Sequence, residues 1–326
     1  MADGKKRLMQ IGLAAVAVLA TFGIGLIVGR EITRPAATAE APAPDSLSAF
    51  SKVPAELLLY RLRLKVPVPL DQPRGFAVRQ DGTLVACGDK AVVVLGRTGA
   101  LKARFDLEEE PVCVALGGEK MIYLGLRDHV AALDAATGAA TAWPDLGSQA
   151  IVTSIAVSGS SVFVTDAGNH MLLRFDTHGK LSGIVDSSFR VPSPFFDASS
   201  SADGSLWVAN PGAQRVQHYG ADGRLIGSWG RASADVDGFL GCCNPAHIAV
   251  LPCGSVVTSE KGVPRVKVYE PDGRLSAVVA LPADFPAGTV SLPVATRKAN
   301  GGEVLILVPG ERAVRVYCHK EMAGDD

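Results

Sequence analysis

The sequence predicts an all-β fold, a six-bladed β-propeller that follows one N-terminal transmembrane helix and a Pro/Ala-rich linker. Three observations predict it. A long apolar run precedes the rest of the chain, short strand-and-turn phrases recur along the remainder, and a small residue recurs at one position of every repeat. Four short strands in each repeat of about 40–50 residues are typical of propeller blades.

The composition fits a globular chain and excludes several classes of protein. The 326 residues are 48% hydrophobic and only 6% aromatic, and they include 35 glycines and 20 prolines. This apolar content excludes a disordered, collagen-like or coiled-coil chain. The formal net charge is −1, so the chain lacks the basic surface that displaces counterions from nucleic acids. We therefore expect no nucleic-acid partner.

The first element is an apolar run from Leu8 to Val28 that contains no charged residue and includes the polar Gln10. A helix of this length reaches roughly 30 Å, the thickness of the hydrocarbon core of a bilayer. A cleaved signal peptide is the alternative, with 37–39 (ATA) as its cleavage site, although its apolar region would be shorter. The pattern favours an uncleaved signal-anchor over 8–29, which would bind the chain to a membrane.

The flanking charges predict an orientation for this anchor. Three basic residues lie in 1–7 and two follow the apolar run, at Arg30 and Arg34. Because the more basic flank stays inside, we expect 1–7 in the cytoplasm and the main domain on the extracytoplasmic, periplasmic side. The Ala- and Pro-rich stretch over 30–56 reads as a semi-extended linker.

The propeller is predicted over 57–321, followed by a short tail over 322–326. Five copies of one phrase, an apolar strand that runs into a polar turn with glycine, place their glycines 39, 41, 44 and 50 residues apart. These glycines are Gly99, Gly138, Gly179, Gly223 and Gly273. A sixth copy over 314–322 lacks the glycine. Asp-Gly and Thr-Gly turns of this kind supply the positive φ of tight hairpins.

The inner strand of each blade should crowd the propeller axis, where side chains must be small. Six small residues fall at matching positions: Ala77, Ala115, Ala156, Ser199, Ala249 and Ala295. The alternating segment over 60–68 precedes blade one and should supply the outer strand of blade six. Such a strand would close the ring.

One repeat carries a family resemblance. The segment TDAGNHMLLRFDTHGKL (165–181) has an aspartate, an asparagine three residues later, an apolar pair and a strand that ends in Asp-x-x-Gly. It resembles an NHL repeat, and 239–273 is similar to the corresponding part of membrane-anchored bacterial NHL propellers. The resemblance implies the fold, but that subgroup has no established activity. Other NHL-like propellers include receptor sensor domains and an amidating lyase that uses zinc.

The six cysteines are disulfide candidates, because disulfides persist outside the cytoplasm. The predicted topology brings Cys87 near Cys113 in the next blade, and it places Cys253 and Cys318 on the opposite face, where their pairing is less favourable. Cys242 and Cys243 are adjacent in the sequence. They allow a vicinal disulfide, two separate cysteines, or a soft-metal site together with His247.

Residues two positions before the small ring share its face of the strand. Asp197 and His247 occupy this position in blades four and five, so we expect them side by side at one mouth of the channel. Loops should add further groups, which makes this mouth the candidate binding site. The full candidate set is Asp197, Cys242, Cys243, Asn244, His247, Glu260, Lys261 and Arg265.

The alternative to a ligand site is a structural contact, in which Asp197 and His247 only satisfy each other's hydrogen-bonding groups. No cofactor is expected, although His129, His170 and His247 would be candidate ligands if a divalent metal such as zinc were bound. The sequence has no phosphate-binding loop and no Gly-x-Ser-x-Gly motif, and we predict no catalytic residue.

Three function classes follow from these features. The favoured one is a membrane-tethered module that binds a protein or a small molecule on one propeller face, rather than an enzyme. The second is a metal-dependent lyase or hydrolase that works through His247 and Asp197. The third is a redox accessory of a membrane complex that acts through Cys242 and Cys243.

Overall fold

A computed structural model describes residues 52–298 and 302–322, and in it six four-stranded antiparallel sheets form a β-propeller. The predicted anchor over 8–29 and nearly all of the linker lie outside the described residues. Among the described residues there is no helix with the length and apolarity that a membrane span needs. The fold-class prediction of an all-β, six-bladed propeller is confirmed.

Each blade runs outward from the axis through four strands. Blade one contains β2 (Pro73–Val78), β3 (Leu84–Gly88), β4 (Ala91–Leu95) and β5 (Leu101–Asp106), and blade two contains β6 (Cys113–Gly117), β7 (Met121–Gly125), β8 (Val130–Asp134) and β9 (Ala140–Ala142). Blade three contains β10 (Val152–Ser158), β11 (Ser161–Asp166), β12 (Met171–Asp176) and β13 (Leu181–Asp186).

The second half repeats this arrangement. Blade four contains β14 (Ala198–Ser200), β15 (Leu206–Asn210), β16 (Arg215–Tyr219) and β17 (Leu225–Trp229), and blade five contains β18 (His247–Val250), β19 (Val256–Ser259), β20 (Val266–Tyr269) and β21 (Leu275–Ala280). Blade six contains β22 (Val294–Arg297), β23 (Glu303–Val308), β24 (Ala313–His319) and β1 (Tyr60–Pro67). Short 3₁₀ helices occupy Ala55–Leu57, Pro211–Ala213, Pro282–Asp284, Pro309–Glu311 and Lys320–Met322.

The recurring glycine phrase forms the hairpin between the third and fourth strands. In blade three, Asp176 Oδ1 accepts the backbone N–H groups of His178 and Lys180, each at 2.9 Å. Gly179 takes a φ of +85° in the same turn, a conformation that glycine adopts without a steric penalty. The Asp-x-x-Gly spacing therefore indicates a turn in which the aspartate carboxylate accepts hydrogen bonds from the backbone N–H groups of the turn.

Apolar side chains between the sheets bind neighbouring blades together. Six buried clusters lie at the six blade interfaces; the cluster between blades five and six, for example, joins Val257 and Val268 to Val304 and Ile306. All four of these side chains are buried. Because each sheet buries both faces against its neighbours, the propeller is stabilised by contacts that no single blade makes alone.

The N-terminal strand closes the ring as the sequence predicts. β1 pairs antiparallel with β24, from Tyr60 opposite His319 to Pro67 opposite Ala313. The inner strands complete the circle as well, because β22 contacts β2. Blade six is thus built from both ends of the propeller chain, and its closure depends on β1.

Candidate functional site

A cavity of about 600 Å³ lies on the propeller axis. All six inner strands line it, and the small residues predicted to surround the axis are all in its wall: Ala77, Ala115, Ala156, Ser199, Ala249 and Ala295. Their short side chains leave the space open. A volume of this size lies within the roughly 300–1,000 Å³ range of small-molecule sites.

Asp197 and His247 lie together at one end of this cavity. Asp197 Oδ2 lies 3.2 Å from His247 Nδ1, and the two side chains are 15% and 20% exposed. Asp197 also accepts the backbone N–H of Ile248 at 3.0 Å and that of Ala198 at 2.8 Å. These bonds fix the carboxylate in one orientation between blades four and five, so the predicted neighbourhood of the two residues is present.

Sequence reasoning missed the other groups around the imidazole. Ser291 Oγ lies 2.7 Å from His247 Nε2. The Phe195 ring meets the imidazole edge-on, with the ring centroids 6.1 Å apart, and the Lys261 ammonium lies 4.8 Å from the centroid of Phe195. Ser291 and Phe195 come from loops without periodic patterning, so their only sequence signal is their position just before an inner strand.

Lys261 and Asn244 hold two loops together beside this site. Asn244 Nδ2 donates to the carbonyls of Leu240 and Lys261 at 2.6 and 3.1 Å, and its Oδ1 accepts the Lys261 N–H at 2.8 Å. Asn244 is therefore buried and fully engaged. Lys261 is partly exposed, and it has no carboxylate partner within the described residues, which leaves its charge available at the mouth.

Glu260 and Arg265 do not reach the mouth as expected. Both are buried, and Arg265 Nε and Nη2 donate to the two Glu260 oxygens, each at 2.9 Å. Lys267 Nζ lies 2.8 Å from Glu260 Oε1. These three residues form the buried ion cluster of blade five. The Glu260 carboxylate pairs with both cations inside blade five, so none of the three side chains is available to a ligand.

The buried ion cluster supports the loop that leads into blade five. Lys267 donates to the carbonyls of Val236 and Gly238 at 3.1 and 2.6 Å, and Glu260 Oε2 accepts the Leu240 N–H at 2.8 Å. Burial lowers the pKa of Lys267 to about 8, although the Glu260 carboxylate opposes the shift. The cluster therefore acts on the site only through the position of the loop.

The described cysteines are all free thiols, so the disulfide predictions for Cys87, Cys113, Cys242, Cys243, Cys253 and Cys318 are not supported. Cys87 packs in the apolar cluster between blades one and two, whereas Cys113 packs against the cluster between blades two and three. The two cysteines are therefore neighbours, as the topology predicts, but their side chains enter different clusters and no disulfide joins them. Burial raises the pKa of Cys87 to about 12 and that of Cys113 well above its usual value.

The other two predicted pairs are separate as well. Cys253 is exposed and contacts Ser255, whereas buried Cys318 contacts the carbonyl of Arg61. The Cys242 and Cys243 sulfurs lie 3.0 Å apart, beyond the roughly 2.05 Å of an S–S bond. Neither of these adjacent cysteines lines the cavity.

The candidate metal ligands have separate surroundings. His129 contacts Asp128 and Glu109, whereas His247 is engaged by Asp197 and Ser291. His170 is exposed in a turn. Within 52–298 and 302–322, no three His, Cys, Asp or Glu side chains are grouped as a metal site would require, so the structure does not bring the three histidines together.

No protein-family model matches the chain, and no curated protein matches it. Solved structures do match. A streptogramin B lyase aligns at 10% identity with a TM-score of 0.56, covering 82% of this chain and 100% of that chain. The WD40 propeller domain of Doa1 aligns at 12% identity and 0.56, covering 81% and 99%. A virginiamycin B lyase from Staphylococcus aureus aligns at 11% identity and 0.53, covering 76% and 82%. These likenesses show the β-propeller fold alone.

Proposed function

We propose that the protein is a membrane-tethered, extracytoplasmic propeller that binds a small organic ligand at the mouth of its axial cavity. The observation that carries the proposal is that Asp197 and His247 line this cavity, while Ser291 contacts the imidazole from behind and Lys261 lies over the neighbouring Phe195 ring. A concave space with a few convergent polar groups is the usual form of a ligand site.

The walls and the mouth favour different parts of a ligand. Alanine and serine side chains form the ring around the axis, and apolar side chains such as Phe76 and Ile155 add to the wall, so the interior favours a short unbranched chain. At the mouth, Lys261 supplies a positive charge, and the His247 and Ser291 side chains supply hydrogen bonds. A short-chain carboxylate or its acyl derivative combines both features, because its polar end faces Lys261 while its chain enters the cavity.

Butyrate is a direct probe of this proposal. We would titrate butyrate into the detergent-solubilised full chain and follow the imidazole resonances of His247 by NMR, with assignment from a His247→Gln variant. Binding should shift His247 and leave the exposed His178 in place. Ser199→Leu, which fills the cavity, should abolish the shift, and Ser228→Leu on the outer strand of the same blade should retain it. No shift of His247 up to tens of millimolar butyrate would contradict the proposed ligand class.

The tether rests on the apolar run over 8–28 and the linker that follows it. An arginine near the centre of a membrane helix costs about 2.5–3.5 kcal/mol on insertion scales. Leu19→Arg should therefore release a large share of the protein from carbonate-washed membranes, whereas Lys52→Arg in the linker should not. Equal membrane retention of both variants would argue against the anchor while leaving the ligand site untouched.

A further inference from the structure

Three side chains at the cavity mouth form one continuous chain of hydrogen bonds. Asp197 Oδ2 lies 3.2 Å from His247 Nδ1, and His247 Nε2 lies 2.7 Å from Ser291 Oγ. The carboxylate and the hydroxyl thus contact opposite nitrogens of one imidazole. In the tautomer that donates from Nδ1 to Asp197, Nε2 is free to accept the Ser291 proton.

Each member of this chain is held by the surrounding backbone or by a neighbouring ring. Backbone N–H groups of Ala198 and Ile248 fix the Asp197 carboxylate, and the edge of Phe195 limits rotation of the imidazole. The segment before Ser291 is tied to the next loop, because Gly262 N–H donates to the Val290 carbonyl at 3.0 Å. The arrangement is therefore built from three blades rather than from one flexible loop.

We propose that Ser291, His247 and Asp197 act as a serine-hydrolase relay on small carboxylic esters. The inference rests on the proposed ligand site, because the acyl chain of the ester occupies the same cavity. Ser291 would be the nucleophile, His247 the general base and Asp197 the group that orients the imidazole. These roles are recognised by geometry and are independent of the fold or the chain order.

The reaction needs only water as a second reactant. Ser291 Oγ attacks the ester carbonyl carbon while its proton passes to His247 Nε2. The tetrahedral intermediate then collapses: the alcohol oxygen leaves with that proton, and the acyl group stays on Ser291. Water attacks the acyl carbon and gives a proton to His247, and on collapse Ser291 Oγ regains that proton and the carboxylic acid is released.

Two neighbouring groups support this assignment. Lys261 lies over the Phe195 ring that packs against the imidazole, and a positive charge on this side of the site would favour the negative charge that develops on the carbonyl oxygen. Cys113 also lines the cavity, but burial and the nearby Cys87 and Asp197 raise the pKa of its thiol. Since the thiolate is the reactive form of cysteine, Ser291 is the better nucleophile.

An alkyl fluorophosphonate tests the nucleophile directly, because a serine activated by histidine displaces its fluoride and keeps the phosphonyl group. We would treat the full chain, solubilised in detergent, and locate the adduct by peptide mass spectrometry. The adduct should lie on Ser291, and His247→Gln should slow its formation at least 100-fold. Ser228→Ala, an exposed serine change on the outer strand, should leave the labelling rate unchanged.

Hydrolysis of p-nitrophenyl butyrate provides the second measurement. Ser291→Ala should lower kcat/KM by at least about 100-fold, because both nucleophilic attack and its general-base assistance are lost. Ser291→Cys should form a butyryl thioester that mass spectrometry detects. The urea midpoint of Ser291→Ala should stay close to that of the wild type, which shows that the variant still folds.

The outcomes separate this inference from the ligand site on which it rests. A butyrate shift without a Ser291 adduct, or with hydrolysis that survives Ser291→Ala, would overturn the hydrolase assignment and leave the binding function in place. Loss of both the butyrate shift and the adduct in the wild-type chain would overturn both proposals.

Discussion

The Asp197 carboxylate at the start of blade four lies 3.2 Å from the His247 imidazole at the start of blade five. The same oxygen accepts the Ile248 N–H at 3.0 Å. One side chain therefore joins two blades and orients the ring that contacts Ser291. Its replacement should affect both the stability of the propeller and the chemistry proposed for its mouth.

We expect Asp197→Asn to lower the free energy of unfolding by about 1–3 kcal/mol, since hydrogen bonds to a charged group are lost. The same variant should slow fluorophosphonate labelling of Ser291, because the asparagine amide no longer fixes the imidazole tautomer. Urea titration measures the first effect and timed labelling the second. Asp106→Asn, on an exposed carboxylate, is the matched control. A wild-type labelling rate in Asp197→Asn would contradict the orienting role.

The buried ion cluster of blade five makes a sharper stability prediction. Glu260→Gln removes a carboxylate that contacts Arg265 at 2.9 Å and Lys267 at 2.8 Å. Two buried cations then remain without compensation, so we expect a loss of about 3–5 kcal/mol in the free energy of unfolding. Glu108→Gln, on an exposed side chain, should change stability by less than about 0.5 kcal/mol. Equal urea midpoints for the two variants would rule out this role of Glu260.

Closure of the ring by β1 is testable through Val66, which is fully buried in the cluster between blades six and one. Val66→Ala should lower the free energy of unfolding by about 2 kcal/mol through lost burial and the cavity left behind. Leu62→Ala removes a larger side chain from the same strand, but Leu62 is 43% exposed. If Leu62→Ala is the more destabilising change in urea titration, the N-terminal strand does not pack as described.

The fold was predictable because its periodic signals are local. Asp176 and Gly179 mark a hairpin by turn chemistry, and Ala77 marks the axis because only a small side chain fits there. Ring closure by β1, which contains Val66, was predictable for two reasons. Apolar and polar residues alternate along this segment, and blade six otherwise lacks a fourth strand. None of these inferences requires knowledge of contacts between distant loops.

The site was predictable only where strand register determines it. Asp197 and His247 share a register, so their proximity follows from counting along aligned strands. Ser291 reaches the imidazole from an irregular loop, and no spacing rule places it there. Glu260 and Arg265 were expected at the mouth, but Lys267 lies two residues after Arg265. The Glu260 carboxylate pairs with both cations inside blade five.

The disulfide predictions were not supported because strand register does not determine side-chain contacts either. Topology shows at which end of a sheet Cys87 and Cys113 lie, but the side-chain direction decides which face each thiol contacts. Thiol alkylation checks this arrangement. With iodoacetamide at pH 8 on the native chain, exposed Cys253 and Cys242 should react, whereas buried Cys87 and Cys318 should react only after denaturation.

Peptide mass spectrometry reads out each cysteine separately. Cys87 should react slowly, because it is buried and burial raises the pKa of its thiol to about 12, which leaves almost no thiolate at pH 8. Cys253→Ser should remove one fast-reacting site without altering the others. Rapid alkylation of Cys87 in the native chain, or recovery of any two described cysteines as a linked peptide before reduction, would contradict the free-thiol arrangement.

His218 makes the stability of the propeller depend on pH. Its ring stacks on Trp207 with centroids 4.0 Å apart, and burial lowers the pKa of His218 below its usual 6.5, although Asp203 opposes the shift. Between 6.5 and that lower pKa the unfolded chain binds a proton that the folded chain does not. The free energy of unfolding should therefore fall as the pH is lowered from about 7.5 towards 5.

His218→Gln should make this decline shallower, because glutamine does not titrate. Arg215→Gln lies on the same strand and removes no imidazole, so its curve should run parallel to that of the wild type. Urea titrations at half-unit pH steps give the three slopes. A steeper decline in His218→Gln would mean that the folded state stabilises the charged imidazole, which the stacked and partly buried position beside Trp207 opposes.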